Sequence, residues 1–257
     1  MPIVTLTTDF GWQDYYLAAI KGALLCEYSQ LHLVDLTHGV DNYDIVQAAF
    51  LFKNAWKEFP EGTIHLISVN DYGAGSRRLL VTMYQGHYFV APDNGLFSLV
   101  FEEQEPTTYY GLEYDKEIQF PIKKAYAKAI GHLANGKELT SLGTVAEDIV
   151  RRITLQPVTN KDQIRGSFIY IDNYENAITN INKSLFDKIG EGRPFKLYFK
   201  RHDPIIQLSG HYSDVPIGEP LCLFNAVGYL EIAINMGRAS GLLGLKKEDS
   251  VQIDFYD

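Results

Sequence analysis

Four acidic clusters, each directly behind a short hydrophobic run, are the parts of this sequence that could do chemistry. Asp9-Phe10-Gly11 follows Ile3–Thr8, and Asp35-Leu36-Thr37-His38 follows Leu31–Val34. Asn70-Asp71-Tyr72-Gly73 follows Thr63–Val69, and Pro92-Asp93-Asn94-Gly95 follows His87–Ala91. The runs are rich in β-branched and aromatic residues and read as strands. In an open α/β sheet the ligand crevice lies outside the carboxyl ends of the strands. Carboxylates brought there by several strands describe a site rather than a solvated face.

Each cluster has a chemistry and a plainer alternative. Asp9, at a strand end, is placed to take two neighbouring hydroxyls of a ribose. Asp14 by itself reads as the N-cap of the next helix. The segment Asn70–Arg78 is glycine-rich but lacks the Gly-Lys-Ser/Thr ending of a phosphate loop. A rigid turn there would set Asp71 close to Arg78, whose charge keeps a carboxylate ionised. A fixed carboxylate orients water or accepts its proton; an ordinary salt bridge in a tight loop explains the same spacing. Pro92–Gly95 has the composition of a turn. Asp172-Asn173-Tyr174-Glu175-Asn176 is polar for a strand-turn-strand unit. Its Asn side chains suit an adenine edge and Tyr174 a stacking face, or the segment is an Asx-rich turn. The Asp-Phe-Gly string shared with protein kinases has no Gly-rich loop before it and carries no kinase reading.

The elements that must position these residues alternate. Asp14–Tyr28 and Asp44–Phe59 have apolar residues near helical period, Leu79–Tyr84 and His87–Ala91 form a hairpin about Gln85-Gly86, and Ala125–Leu133 reads as a helix. This β-α-β-α-β order predicts an α/β domain with a mostly parallel sheet. Beyond about residue 150 the pattern becomes short strands at Ser167–Ile171, Ala177–Ile181, Pro194–Phe199, Ile205–Leu208, Leu221–Asn225, Tyr229–Asn235 and Val251–Phe255, with helix signals at Lys183–Ile189 and Arg238–Leu243. An all-β, barrel-like second domain follows. The domains are expected at 1–155 and 162–257.

Bulk composition excludes several classes. The 257 residues are 46% hydrophobic and 21% charged, with a net charge of −9. An acidic chain with only isolated basic pairs is a poor partner for nucleic acid. No apolar stretch approaches the ~20 residues of a membrane span. Met1-Pro2-Ile3-Val4 has no signal-peptide pattern, so the expected setting is cytoplasmic. Cys26 and Cys222 lack zinc-ligand spacing, and the seven histidines form no metal-binding pair. No metal site is expected.

Several motifs then occur in a fixed order. They are Thr8-Asp9-Phe10-Gly11 with Asp14 and Tyr16, Lys21-Gly22, Asp35-Leu36-Thr37-His38, and Phe59-Pro60 with Gly62-Thr63. Pro92-Asp93-Asn94-Gly95, Asn176 with Thr179-Asn180-Ile181, and Gly228 with Leu230-Glu231-Ile232-Ala233 and Asn235 follow. As an ordered set spanning nearly the whole chain, they resemble the S-adenosylmethionine hydroxide adenosyltransferases, the family that includes the fluorinase and chlorinase. The resemblance implies an α/β domain, a β-barrel domain and a homotrimer with sites at subunit interfaces. It also implies attack of water on the ribose 5′ carbon of S-adenosylmethionine, giving adenosine and methionine. S-adenosylmethionine is then the substrate, with no cofactor. Position by position, Asp9 would bind the ribose hydroxyls, Asp14 the methionine ammonium, and Tyr43 the ribose face. Asp71 and Arg78 would be two members of a water-activating triad. Asp172, Tyr174 and Asn176 would serve the adenine.

The chain also departs from that pattern. Pro121 stands where the family's triad His falls, Tyr72 replaces a Pro, and Glu175 replaces a Gly. Ala226-Val227 replaces a Ser with a polar or basic residue. His132 lies further along the helix and reads as an ordinary helix histidine. An active hydrolase, a weakened or non-catalytic adenosyl-ligand binder and, last, a halide-using transferase are the readings open. A non-catalytic trimeric scaffold is the reading from another class.

Overall fold

The computed structural model describes residues 1–71, 78–102, 104–114 and 121–257, without the side chains of Pro121 and Ile122. The glycine-rich turn expected over Tyr72–Arg77, and Phe120, lie outside these residues. The chain divides into two compact units, Met1–Thr154 and Leu155–Asp257.

The first unit is a sheet covered on both faces. Its strands are β1 (Ile3–Thr8), β2 (His32–Thr37), β3 (Ile64–Ser68), β4 (Leu79–Tyr84), β5 (His87–Pro92), β6 (Tyr109–Leu112) and β7 (Gly143–Val145). They lie in the order β2-β1-β3-β5-β4-β6-β7. β2, β1, β3 and β5 pair in parallel, whereas β5-β4, β4-β6 and β6-β7 pair antiparallel. The sheet is therefore mixed, not mostly parallel. The two-residue turn at Gln85-Gly86 is too short for a crossover, so β4 must return antiparallel beside β5.

Helices α1 (Tyr15–Glu27) and α4 (Pro121–Ala134) pack on one face with Val4, Leu6, Leu66, Val81 and Val90. Helices α2 (Ile45–Lys53) and α3 (Leu96–Val100) pack on the other with Ile67, Val69, Leu80, Phe89 and Ala91. With both faces covered, β3 is buried along its whole length, as its apolar sequence requires. α2 starts where Asp44 accepts from the amides of Val46 (3.1 Å) and Gln47 (2.9 Å). Asp14 stands at the N-cap of α1 but makes no side-chain cap bond. Asp14 thus holds the expected N-cap position of α1 without a side-chain bond. β2 runs through Asp35 and Thr37, so these residues end a strand and do not form the loop behind it.

The second unit is an antiparallel half-barrel. Its strands are β8 (Val158–Thr159), β9 (Gln163–Ile171), β10 (Ala177–Asn182), β11 (Phe195–Phe199), β12 (Pro220–Phe224), β13 (Tyr229–Ile234) and β14 (Ser250–Phe255). The order is β11-β14-β9-β10-β13-β12, with β8 on β9. Helix α5 (Lys183–Gly190) sets Phe186 into a core of Ile164, Phe168, Ile181, Leu197, Leu230, Ile253 and Phe255. Residues 205–208 are not a full strand. Ile205 bridges to Leu197 on one edge and Leu208 to Cys222 on the other, so this segment partly closes the sheet. A short helix, α6 (Ala239–Leu243), follows β13.

Candidate active site

Asp9, Asp71 and Asp93 follow the carboxyl ends of β1, β3 and β5, three adjacent parallel strands. This is the crevice position that parallel sheets reserve for ligands. All three are buried, at 8%, 9% and 2% exposure, in a chain whose surface has ample room for carboxylates.

Asp71 has a strongly perturbed acidity. Burial pushes its pKa up to about 6, with the Asp9 charge adding to the rise and hydrogen bonds from Ser68 and Tyr126 opposing it. Ser68 Oγ donates to Oδ2 at 2.5 Å and Tyr126 Oη donates to Oδ1 at 2.7 Å. Among the described residues, the groups that hold this carboxylate are thus two hydroxyls. Arg78, expected beside it, donates through Nε to Asp93 Oδ2 at 2.7 Å and through Nη2 to the Asp148 carbonyl at 2.5 Å. Asp93 also accepts the Val150 amide at 2.8 Å.

Asp9 is a structural hub as well as a candidate ligand. Its Oδ2 accepts the amides of Tyr43 (3.0 Å) and Asn70 (3.2 Å). Both donors sit in the left-handed region, at φ 68° and 51°. Asn tolerates that conformation; Tyr does not readily. The carboxylate offsets this backbone strain by binding both amides, and among the described residues no donor is bonded to its Oδ1. The Pro92–Gly95 segment is a buried brace and not a simple turn. Asn94 Nδ2 donates to the carbonyls of Val69 (2.9 Å) and Asn70 (3.2 Å), tying the end of β5 to the approach to Asp71.

A second polar chain runs beneath the Asp9 loop. Lys21 Nζ donates to Asp35 Oδ2 at 2.7 Å, and His38 Nε2 lies 3.0 Å from Asp35 Oδ1. The latter is close enough for an ion pair but out of line for a hydrogen bond. Thr8 Oγ1 and His38 Nδ1 are hydrogen-bonded at 2.8 Å. Burial lowers the His38 pKa against the pull of Asp35. Burial would raise the Asp35 pKa, but the Lys21 bond and the neighbouring Lys21 and His38 outweigh it and hold it down. The His38 carbonyl accepts the Gly11 amide at 2.9 Å, so this chain props the loop that carries Asp9.

Around that loop the surface is aromatic. Trp12, Tyr15, Tyr16 and Tyr43 are 65%, 70%, 39% and 72% exposed, beside the uncapped Asp14. Exposed aromatic rings next to a carboxylate suit a cationic organic ligand.

In the half-barrel, the turn Asp172–Asn176 between β9 and β10 is built by Asp172. Its Oδ1 accepts the amides of Tyr174 (2.9 Å) and Asn176 (2.8 Å), and its Oδ2 accepts Asn176 Nδ2 at 3.2 Å. The Asx-turn reading therefore describes Asp172 and Asn176, while Tyr174 is held 76% exposed at the tip. Nearby, the buried Glu231 accepts from Tyr212 Oη at 2.8 Å. Burial raises the Glu231 pKa, with the Asp172 charge adding to it.

Ser68, Tyr126, Tyr212 and the Arg78–Asp93 pair escape a reading of the sequence alone. Tyr126 had one signal, a lone phenol among alanines on the buried face of a helix. Among the described residues no group of three or more His, Cys, Asp or Glu side chains forms a metal-binding set. No helix among them is long and apolar enough to cross a membrane.

Comparison with known proteins agrees with this architecture. The model for the SAM hydroxide adenosyltransferase N-terminal domain matches residues 4–143, and that for the C-terminal domain matches residues 166–252. The chain belongs to the SAM hydroxide adenosyltransferase family. It is 28% identical to the (R)-S-adenosyl-L-methionine hydrolase of Thermus thermophilus, over 97% of this chain and 98% of the relative. It is 25% identical to the fluorinase of Actinopolyspora mzabensis, over 98% and 97%. A crystal structure of an uncharacterized conserved protein from Thermotoga maritima superposes with a TM-score of 0.86 at 28% identity, covering 98% of this chain and 99% of the other.

Proposed function

We propose that this protein hydrolyses S-adenosyl-L-methionine to adenosine and L-methionine by attack of water on the ribose 5′ carbon. The observation that carries this reading is Asp71: a carboxylate buried at the strand ends, with a pKa near 6 that suits a general base at neutral pH. The full-length similarity to proteins named (R)-S-adenosyl-L-methionine hydrolase supports it.

The chemistry is modest in its demands. The water oxygen forms a bond to C5′, the C5′–S bond breaks, and its electron pair leaves on the methionine sulfur. The water proton passes to Asp71 and then to solvent. The sulfonium is already a good leaving group, so alignment in a dry site does most of the work and no metal is required. Asp9 Oδ1 takes the ribose hydroxyls while Oδ2 stays with the loop amides. The aromatic ring of Tyr43 covers the sugar. Asp14, uncommitted to its helix, takes the methionine ammonium. Arg78, anchored by Asp93, contributes positive charge at the rim. The Tyr174 ring stacks on adenine, and Asp172 and Asn176 shape the turn that presents it. The assembly is a homotrimer, in which one copy's half-barrel turn serves another copy's α/β site.

Incubation with S-adenosylmethionine in ¹⁸O-water, followed by chromatography and mass spectrometry, tests the reading. Equal amounts of methionine and of adenosine labelled at the 5′ oxygen are expected. The absence of adenosine above the protein-free blank overturns it. A 5′-halogenated nucleoside in halide buffer in place of adenosine assigns the halide reaction instead.

A further inference from the structure

Tyr126 has a hydroxyl that packing does not explain. The ring is fully buried on α4 among Leu66, Val81, Val90, Ala129 and Ile130, where a phenylalanine would fill the same space. A hydroxyl carried into such surroundings is costly unless it finds a hydrogen bond. Its hydroxyl donates to Asp71 Oδ1, at 2.7 Å and 55 residues away in sequence, and also lies within hydrogen-bonding reach of Ser68. Ser68, at the end of β3, supplies the matching donor to Oδ2.

We propose that Tyr126 is the positioning residue of this site: its phenol and the Ser68 hydroxyl clamp the two oxygens of Asp71, fixing the carboxylate plane and leaving its remaining lone pairs for the attacking water. This rests on the hydrolase reading above for its catalytic meaning, but the clamp itself does not. An ionised carboxylate offers about four acceptor positions. One donor on each oxygen sets the orientation without using them up. The same two bonds favour the ionised form, which the desolvated site disfavours. Tyr126 stays a donor throughout, because burial and the adjacent Asp71 push its own pKa well above that of a free phenol.

Among the described residues the groups acting on Asp71 come from three elements, Ser68 from β3, Asp9 from the loop after β1 and Tyr126 from α4; Tyr114, from the segment after β6, acts on Tyr126. Of these, Ser68 and Tyr126 lower the Asp71 pKa and Asp9 raises it. Removing the phenol hydroxyl alone should therefore move Asp71 upward. A hydrogen bond to a charged group corresponds to about one to two pH units.

The experiment compares wild type with Tyr126→Phe in the full chain. The side-chain carboxyl of Asp71 is titrated by ¹³C NMR, and kcat and KM are followed across pH. The expected result is an upward shift of about one to two units in the Asp71 titration and in the acid limb of kcat, with KM for S-adenosylmethionine unchanged. An unchanged titration in a folded Tyr126→Phe variant overturns the proposal, as does a fall in kcat with no shift of the limb, which marks a merely structural role. If that variant fails to fold, 3-fluorotyrosine at position 126 replaces it. A more acidic phenol donates more strongly, so the limb and the titration should move down; no movement overturns the proposal. A shifted titration in a protein without turnover upholds the clamp and sinks the hydrolase reading alone.

Discussion

Asp71→Asn should make the protein more stable while abolishing turnover, and only above a defined pH. Burial raises the Asp71 pKa from an ordinary 3.8 to about 6. A group whose folded pKa is raised binds its proton more tightly in the native state, so it stabilises the fold when protonated and costs stability once ionised. The cost is absent below about pH 4, grows as pH rises to about 6, and is constant above. Just over 2 pH units at about 1.4 kcal/mol each comes to about 3 kcal/mol. Asn removes this cost without breaking the clamp: Tyr126 still donates to an amide oxygen, and the Ser68 hydroxyl turns to accept from the amide nitrogen. For a unit of this size, about 3 kcal/mol is a rise in Tm of about 6–12 °C. Thermal melts of both proteins at pH 4 and pH 8, with adenosine release measured in parallel, test the reasoning. The expected result is coincident melting at pH 4, a more stable variant at pH 8 and no adenosine from the variant. A variant that melts at or below wild type at pH 8 refutes the argument, as does a difference that is the same at both pH values.

Other outcomes follow from the same geometry. Because Asp14 makes no cap bond, Asp14→Ala should leave Tm within about 2 °C of wild type. Loss of a charge-assisted bond to the substrate ammonium should raise KM for S-adenosylmethionine by about tenfold or more; a normal KM removes Asp14 from the site. His65 is buried, bonded to Thr5 at 2.7 Å, and its pKa is pushed down to about 3 by desolvation and the His87 charge. The unfolded chain binds a proton there that the native state refuses. Stability is therefore lost as pH falls from about 6.5 towards 3, by up to about 1.4 kcal/mol per unit. Between about pH 4 and 6 protonation of Asp71 offsets this loss, so denaturant melts of Asp71→Asn across the range should show the slope, and adding His65→Phe should flatten it.

The sequence alone determined those features whose signals are local. Hydrophobic period and turn chemistry placed β1, β3 and β5 and the carboxylates behind them, and a helix beginning near Asp44. The crevice followed, because parallel strands bring their carboxyl ends to one edge. An ordered set of motifs identified the family. The tertiary structure decided the partners. Asp71 and Arg78, seven residues apart, had the spacing of a pair, yet the guanidinium is held by Asp93, and the carboxylate by Ser68 and by Tyr126 from a distant helix. A tyrosine and a phenylalanine carry the same weight in a helical pattern, so nothing local distinguishes a core ring from one whose hydroxyl reaches a buried carboxylate. The Asp71 pKa is likewise a property of burial, which exists only after chain segments far apart in sequence have packed around it. Asp14 and Asp44 differ for the same reason: both precede a helix, and only the folded backbone decides which one bends back to cap it.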